Sequence, residues 1–289
     1  MGWGRRDRVL GPCAKTKDNP IRHAVTEPVL LALALLALAA CGPQRAHEAG
    51  ASAYKARTAT GEGAYRRPPS LGGAMVEPGG RMRLMGQADP DARVRLASPL
   101  GQSIFARADT KGAWHLLLPP LGRLRLFGLS MVEGARSVQA EGYLAIGPGV
   151  AAQLRAGAGA LTFAPAPSRL AITALDLDRK GAAVVSGWAS PGSAVALQID
   201  AKVAGQVAAD AQGGYAFDLG EPLTSGPHQI RVHQGALSAT VSADATPGGP
   251  PASGPYTATP AGAGWRIVWM PPGGGLQTTL LFGAGGNGG

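Results

Sequence analysis

The chain predicts an all-β fold: two tandem antiparallel β-sandwiches and a C-terminal β-hairpin, preceded by a signal peptide and a flexible tether. Three observations carry this. The 289 residues include 44 glycines and 24 prolines, and long helical periodicities are sparse, as in chains built of short strands and many turns. Short runs alternate apolar and polar residues with a period of two. A stretch of the body repeats itself 101 residues further on.

Taking the elements in order, Val29–Ala40 is an apolar run without charge. It is too short to span a bilayer, which needs about 20 residues, but it suits a signal-peptide core. Upstream, Arg5, Arg6, Arg8, Lys15, Lys17 and Arg22 supply the positive charge expected on the cytoplasmic side. The run closes on Leu38-Ala39-Ala40-Cys41, which resembles a bacterial lipobox. The resemblance implies cleavage of residues 1–40 and acylation of Cys41, and Gly42 after the cysteine is similar to the arrangement that sends lipoproteins to the outer membrane. The expected location is therefore the cell envelope, facing the periplasm and held to a membrane by lipid. Cys13 is the other cysteine, so a chain beginning at Cys41 could form no internal disulfide. Losing six bases and three acids with residues 1–40 would reduce the net charge from +9 to +6.

Residues 41–70 are small and polar without a hydrophobic period, and read as a flexible tether. The first sandwich is expected over 71–164. Within it, Gly86-x-Ala88-x-Pro90 and Val94-x-Leu96 recur as Gly187-x-Ala189-x-Pro191 and Val195-x-Leu197. The same offset pairs Ala108-Asp109-x-x-Gly112-x-Trp114 with Ala209-Asp210-x-x-Gly213-x-Tyr215. Val94 and Leu96 alternate with Arg93 and Arg95, which puts apolar side chains on one face of a strand and charge on the other. Asp109 and Gly112 suit the first and last positions of a type I turn between antiparallel strands. Tyr143–Ile146 and Ala160–Phe163 read as edge strands finishing this domain.

The second sandwich is expected over 168–244, each copy forming its own domain. A Pro/Gly linker follows over 245–263, then a hairpin over 264–282 and a disordered tail over 283–289. The repeated residues resemble bacterial Ig-like modules of secreted and cell-envelope proteins, whose pattern runs Gly-x-Ala-x-Pro-Gly-x-x-Val-x-Leu and then Ala-Asp-x-x-Gly-x-Trp. The resemblance covers about 80–140 and 180–240, and implies spacers, binding surfaces or domain joints.

No catalytic constellation or cofactor site is expected. His228 and His233 sit an odd number apart, on opposite faces of a strand. Asp176-Leu177-Asp178 imitates the start of a calcium loop, but no bidentate acid follows at the required place, so a β-turn is the reading. Gly-x-Ser-x-Gly, His-Glu-x-x-His and phosphate loops are missing from the sequence.

Charge is uneven: residues 81–140 hold nine bases and four acids, net +5, whereas 169–241 hold five bases and six acids, net −1. Arg81, Arg83, Arg93, Arg95, Arg123 and Arg125 are therefore expected to form an outward arginine face that binds an anionic envelope polymer or a lipid headgroup. An exported chain is not expected to meet nucleic acid. The function expected is a tethered, non-catalytic structural or interaction module. Two alternatives stand beside it: an envelope hydrolase or sugar-modifying enzyme with its site in the inter-domain groove, and an accessory subunit of an envelope protein complex whose C-terminal hairpin adds to a partner's sheet.

Overall fold

The computed structural model describes residues 66–133, 136–164 and 170–283. The expected signal peptide, Cys41, residues 41–65 of the tether and residues 284–289 of the tail lie outside the described residues. Lobe 1 contains β1 (Ser70–Val76), β2 (Met82–Gln87), β3 (Arg93–Ala97), β4 (Ser103–Arg107), β5 (Ala113–Leu118), β6 (Arg125–Glu133), β7 (Arg136–Gln139), β8 (Tyr143–Gly147), β9 (Val150–Leu154) and β10 (Leu161–Ala164). Lobe 2 contains β11 (Ala171–Asp178), β12 (Ala183–Trp188), β13 (Ala194–Ile199), β14 (Lys202–Ala208), β15 (Gly214–Asp218), β16 (Pro227–Gln234), β17 (Leu237–Asp244), β18 (Tyr256–Ala261), β19 (Gly264–Trp269) and β20 (Gln277–Leu281). The fold is all-β, and every strand pair is antiparallel.

The internal repeat is a repeat of topology. In lobe 1, β1-β2-β5 form one sheet, and β4, β3, β6 and β7 lie side by side in the sheet facing it; in lobe 2, β11-β12-β15 and β14-β13-β16-β17 take the same orders. Registers match at the same offset. Gly86 lies opposite Trp114 as Gly187 lies opposite Tyr215, and β1 and β11 are irregular at equivalent places, between Leu71 and Gly73 and between Ile172 and Ala174.

The turns follow from local chemistry. Asp109 Oδ1 accepts the N–H groups of Lys111 and Ala113 at 2.8 and 2.9 Å, and Asp210 Oδ1 accepts those of Gln212 and Gly214, both at 2.8 Å. Gly112 and Gly213 close these turns at φ +83° and +95°, a backbone region that costs glycine little.

Each lobe buries the inward positions of its strands. The lobe 1 core holds Leu71, Leu84, Trp114 and Leu118 against Val94, Leu96, Phe127 and Leu129. In lobe 2, Leu175, Val185, Tyr215 and Phe217 meet Val195, Leu197, Ile230 and Val232.

A third core changes the expected organisation. After β7 the chain forms a meander, β8-β9-β10, that extends lobe 1's larger sheet by pairing β8 with the first residues of β6. After β17 it forms another, β18-β19-β20, that extends the β11 side of lobe 2. Leu124, Leu126, Ala145, Val150, Ala152 and Leu154 of lobe 1 pack against Ala174, Ile267, Trp269 and Leu281 of lobe 2. The two copies are therefore not separate domains: they share a core, and both belong to one compact unit.

Three further expectations are corrected. The stretch 245–263 is not wholly linker, because β18 lies inside it. The C-terminal hairpin has no free edge to add to a partner's sheet: β19 lies between β18 and β20, and β20 between β19 and β11. Nor is β8 an edge strand, although β10 does lie at the edge of its sheet; β8 and β9 are buried on both faces. Leu144 and Ile146 point into the lobe 1 core while Ala145 and Ala152 point into the shared one, and burial on both faces explains why these strands lack polar alternation.

Candidate interaction surface

The strand period and the hairpin register together build a cationic face on lobe 1. On β3, Val94 and Leu96 point inward, so Arg93 and Arg95 point outward. The β3–β4 register sets Arg107 directly opposite Arg93 and Phe105 opposite Arg95. The Arg93 guanidinium lies over the Phe105 ring, 3.7 Å from its centroid. Arg95 donates its Nε–H to Ser103 Oγ at 3.0 Å, which leaves the two terminal nitrogens of its fork for other partners. Arg107 reaches Asp91 only at 3.9 Å, with both side chains exposed. At the turn of the hairpin, Leu100 is 65% exposed and Phe105 is 41% exposed on β4. Arg125 donates to Gln102 Oε1 at 3.1 Å and so sits against the same turn.

This arrangement is not required by the sandwich. Like charges directly opposite one another weaken a sheet, and lobe 2 keeps the same register with Ala194 opposite Ala208 and Ala196 opposite Gln206. The arginines of lobe 1 are thus an addition to a framework that folds with alanine at three of the four places.

The six arginines expected to share a face do not. Arg81 and Arg83 belong to the β1-β2-β5 side of lobe 1 and converge on Glu77, at 3.3 and 2.5 Å, which neutralises one charge. Arg93 and Arg95 lie on the opposite sheet. Arg123 is exposed just before β6, and Arg125 is half-buried with its side chain directed to Gln102. The reason is topological: β2 and β3 are consecutive in sequence but belong to different sheets, so outward positions on them face opposite ways. Sequence reasoning also passed over Arg107, Phe105 and Leu100. The alternation Ser103, Phe105, Arg107 was available as a signal, but its alignment with Arg93 and Arg95 depends on the register.

An open groove of about 1040 Å³ is lined from both sheets of lobe 1, by Arg83, Met85 and His115 from β2 and β5 and by Asp91 just before β3 and Arg107 at the end of β4. Between the lobes, Leu126, Ala152, Ala174 and Trp269 pack together. Asp176 is the charged residue buried among the described residues. Its Oδ2 accepts the Ala160 N–H at 2.8 Å and its Oδ1 the Thr279 hydroxyl at 2.5 Å. Trp269 Nε1–H donates to Thr279 Oγ1 at 3.0 Å, and Ser186 Oγ–H to the Ala160 carbonyl at 2.9 Å. Burial pushes the Asp176 carboxyl up to about 6, opposed in part by the Thr279 and Ala160 hydrogen bonds and by Arg155. Asp178, the other acid of the calcium-like stretch, accepts the N–H groups of Lys180 and Ala182 at 2.7 and 2.9 Å in a turn.

Among the described residues, no group of three or more His, Cys, Asp or Glu side chains is placed to hold a metal ion, and no helix is long and apolar enough to cross a membrane. The chain thus falls in a class defined by architecture: an all-β protein of two joined lobes with a cationic hairpin face. No protein-family model matches the chain, and no curated protein matches its sequence.

Proposed function

We propose that this protein is a cell-envelope lipoprotein, acylated at Cys41, that acts as a non-catalytic structural and interaction module built on two joined Ig-like sandwiches. The observation that carries the reading is Leu38-Ala39-Ala40-Cys41 at the end of an uncharged apolar run. Acylation with more than one chain gives durable membrane attachment, where a single chain gives only marginal binding. Gly42 favours the outer membrane as the destination. The seven-stranded arrangement found in both lobes supports the Ig-like assignment, and the Arg93, Arg95 and Arg107 face supports contact with an anionic envelope component.

The direct test is Cys41→Ser in cells. The expected result is a protein that is released from the membrane or left unprocessed. Continued fractionation as a processed membrane protein overturns the lipoprotein reading.

A further inference from the structure

We infer that the β3–β4 hairpin of lobe 1 docks on an anionic lipid bilayer, with Leu100 and Phe105 entering the interface and Arg93, Arg95 and Arg107 holding headgroup phosphates. The inference rests on the envelope reading above only in requiring that a bilayer be near. Residues 93–107 contain three arginines and no acidic residue. The hairpin brings all three onto one outward face, and Asp91 is a loose partner of Arg107 at 3.9 Å. A phosphate between Arg93 and Arg107 would relieve their mutual repulsion, and the planar guanidinium fork suits a phosphate.

The apolar residues select lipid over glycan. Leu100 occupies the turn of the hairpin and Phe105 lies beside the guanidinium of Arg93. A hydrated polysaccharide gives little in return for an exposed leucine, whereas the headgroup boundary removes leucine and aromatic surface from water while anionic lipids attract the neighbouring cations. An arginine stacked on an aromatic ring keeps its charge at the level where that ring would rest.

Lobe 2 is the internal control. Its equivalent hairpin, β13–β14, exposes Val203 by 79% but carries no arginine and no aromatic residue, and Asp200 balances Lys202. An apolar tip alone is thus compatible with the fold, and the combination with cations belongs to lobe 1. The chain from Cys41 to Arg66 spans at most about 90 Å when fully extended, so a membrane holding Cys41 lies within reach of the hairpin.

The test uses the full chain carrying Cys41→Ser, sedimented with vesicles of phosphatidylcholine alone or with phosphatidylglycerol added. The readout is the gain in binding on adding phosphatidylglycerol, which contacts insensitive to lipid charge do not change. Arg93→Ser/Arg95→Ser/Arg107→Ser is expected to reduce binding to the anionic vesicles by at least about tenfold. Leu100→Ser/Phe105→Ser is expected to reduce it several-fold while leaving retention on a phosphate-bearing ion-exchange resin unchanged. Both variants alter outward-facing positions, of which only Arg95 is half-buried, and should keep the far-ultraviolet circular dichroism of the parent. Equal binding by either variant and the parent overturns the inference. So does arginine-dependent pelleting with insoluble peptidoglycan but not with vesicles, which makes a glycan the ligand. These results do not depend on whether Cys41 is acylated, so failure here and failure of the lipoprotein reading are separate outcomes.

Discussion

At the scale of single residues, His228 shows how placement overrides composition. Its Nδ1 lies 2.7 Å from Asp200 Oδ2 and its Nε2 lies 2.8 Å from the Thr224 carbonyl oxygen. Two acceptors face one ring, and only the imidazolium donates to both. The Thr224 hydrogen bond and the Asp200 carboxylate hold the His228 pKa above its ordinary value, against an opposing contribution from burial. Asp200 is lowered in turn, mainly by the Gln229 N–H and then by His228. A folded value above the unfolded one, about 6.5, means that the pair stabilises the fold fully below that pH and loses the contribution as pH rises through the folded value. An NMR titration should place His228 above about 6.5, and Asp200→Asn should lower it. An ordinary or lower value, or no response to Asp200→Asn, contradicts the ion pair. Trp114 and Tyr215 show the converse, one position filled in two ways: Tyr215 donates its hydroxyl to the Ala171 carbonyl at 2.7 Å, while the Trp114 indole N–H is buried without a hydrogen-bond partner.

At the scale of elements, the repeated Gly-x-Ala-x-Pro motif has a role beyond turn formation. Gly86 lies in β2, beneath the Trp114 ring and against the Ser70 carbonyl; Gly187 lies beneath Tyr215 and against the Ala171 carbonyl. A methyl group at either position would overlap both the backbone oxygen and the ring. Neither can yield easily, because the oxygen belongs to the paired strand and the ring fills the core. Gly86→Ala and Gly187→Ala should each cost about 3 kcal/mol or more, toward the upper end for single substitutions. Gly122→Ala, which meets nothing within 4 Å, should change stability by less than about 0.5 kcal/mol. Denaturant unfolding of the three variants checks the ranking. Comparable midpoints for Gly86→Ala and Gly122→Ala would show that the close packing of ring on strand is not the constraint.

At the scale of the whole molecule, the joint between the lobes carries a pH dependence of its own. Asp176 is fully buried there, with a pKa of about 6 in the folded state against an ordinary value of 3.8. Between those values Asp176 is more protonated in the native state than in the unfolded chain, so its contribution to stability falls as pH rises from about 4 to about 6 and is level beyond. The size is on the order of 3 kcal/mol, a substantial part of a domain's stability. Asp176→Asn keeps an acceptor for the Ala160 N–H and removes the charge, and should flatten the stability profile across that range. Urea midpoints measured from about pH 4 to about pH 7 test this. A variant that keeps the parent's slope places the pH dependence elsewhere.

The sequence alone determined the all-β class, the repeat and its offset, the Asp-x-x-Gly turns and the inward alternation of strands such as β3. These are local: a two-residue period and a turn signature are written within a few neighbouring positions. Which arginines share a face, and that the copies share a core, were decided only in three dimensions. Arg83 and Arg93 lie ten positions apart with the same outward alternation, yet the chain crosses between sheets in the interval. Leu126, Ala152, Ala174 and Trp269 meet across more than half of the described length. Pairing register and sheet-on-sheet packing are set by the burial of whole faces against one another, and no short window of residues contains that information.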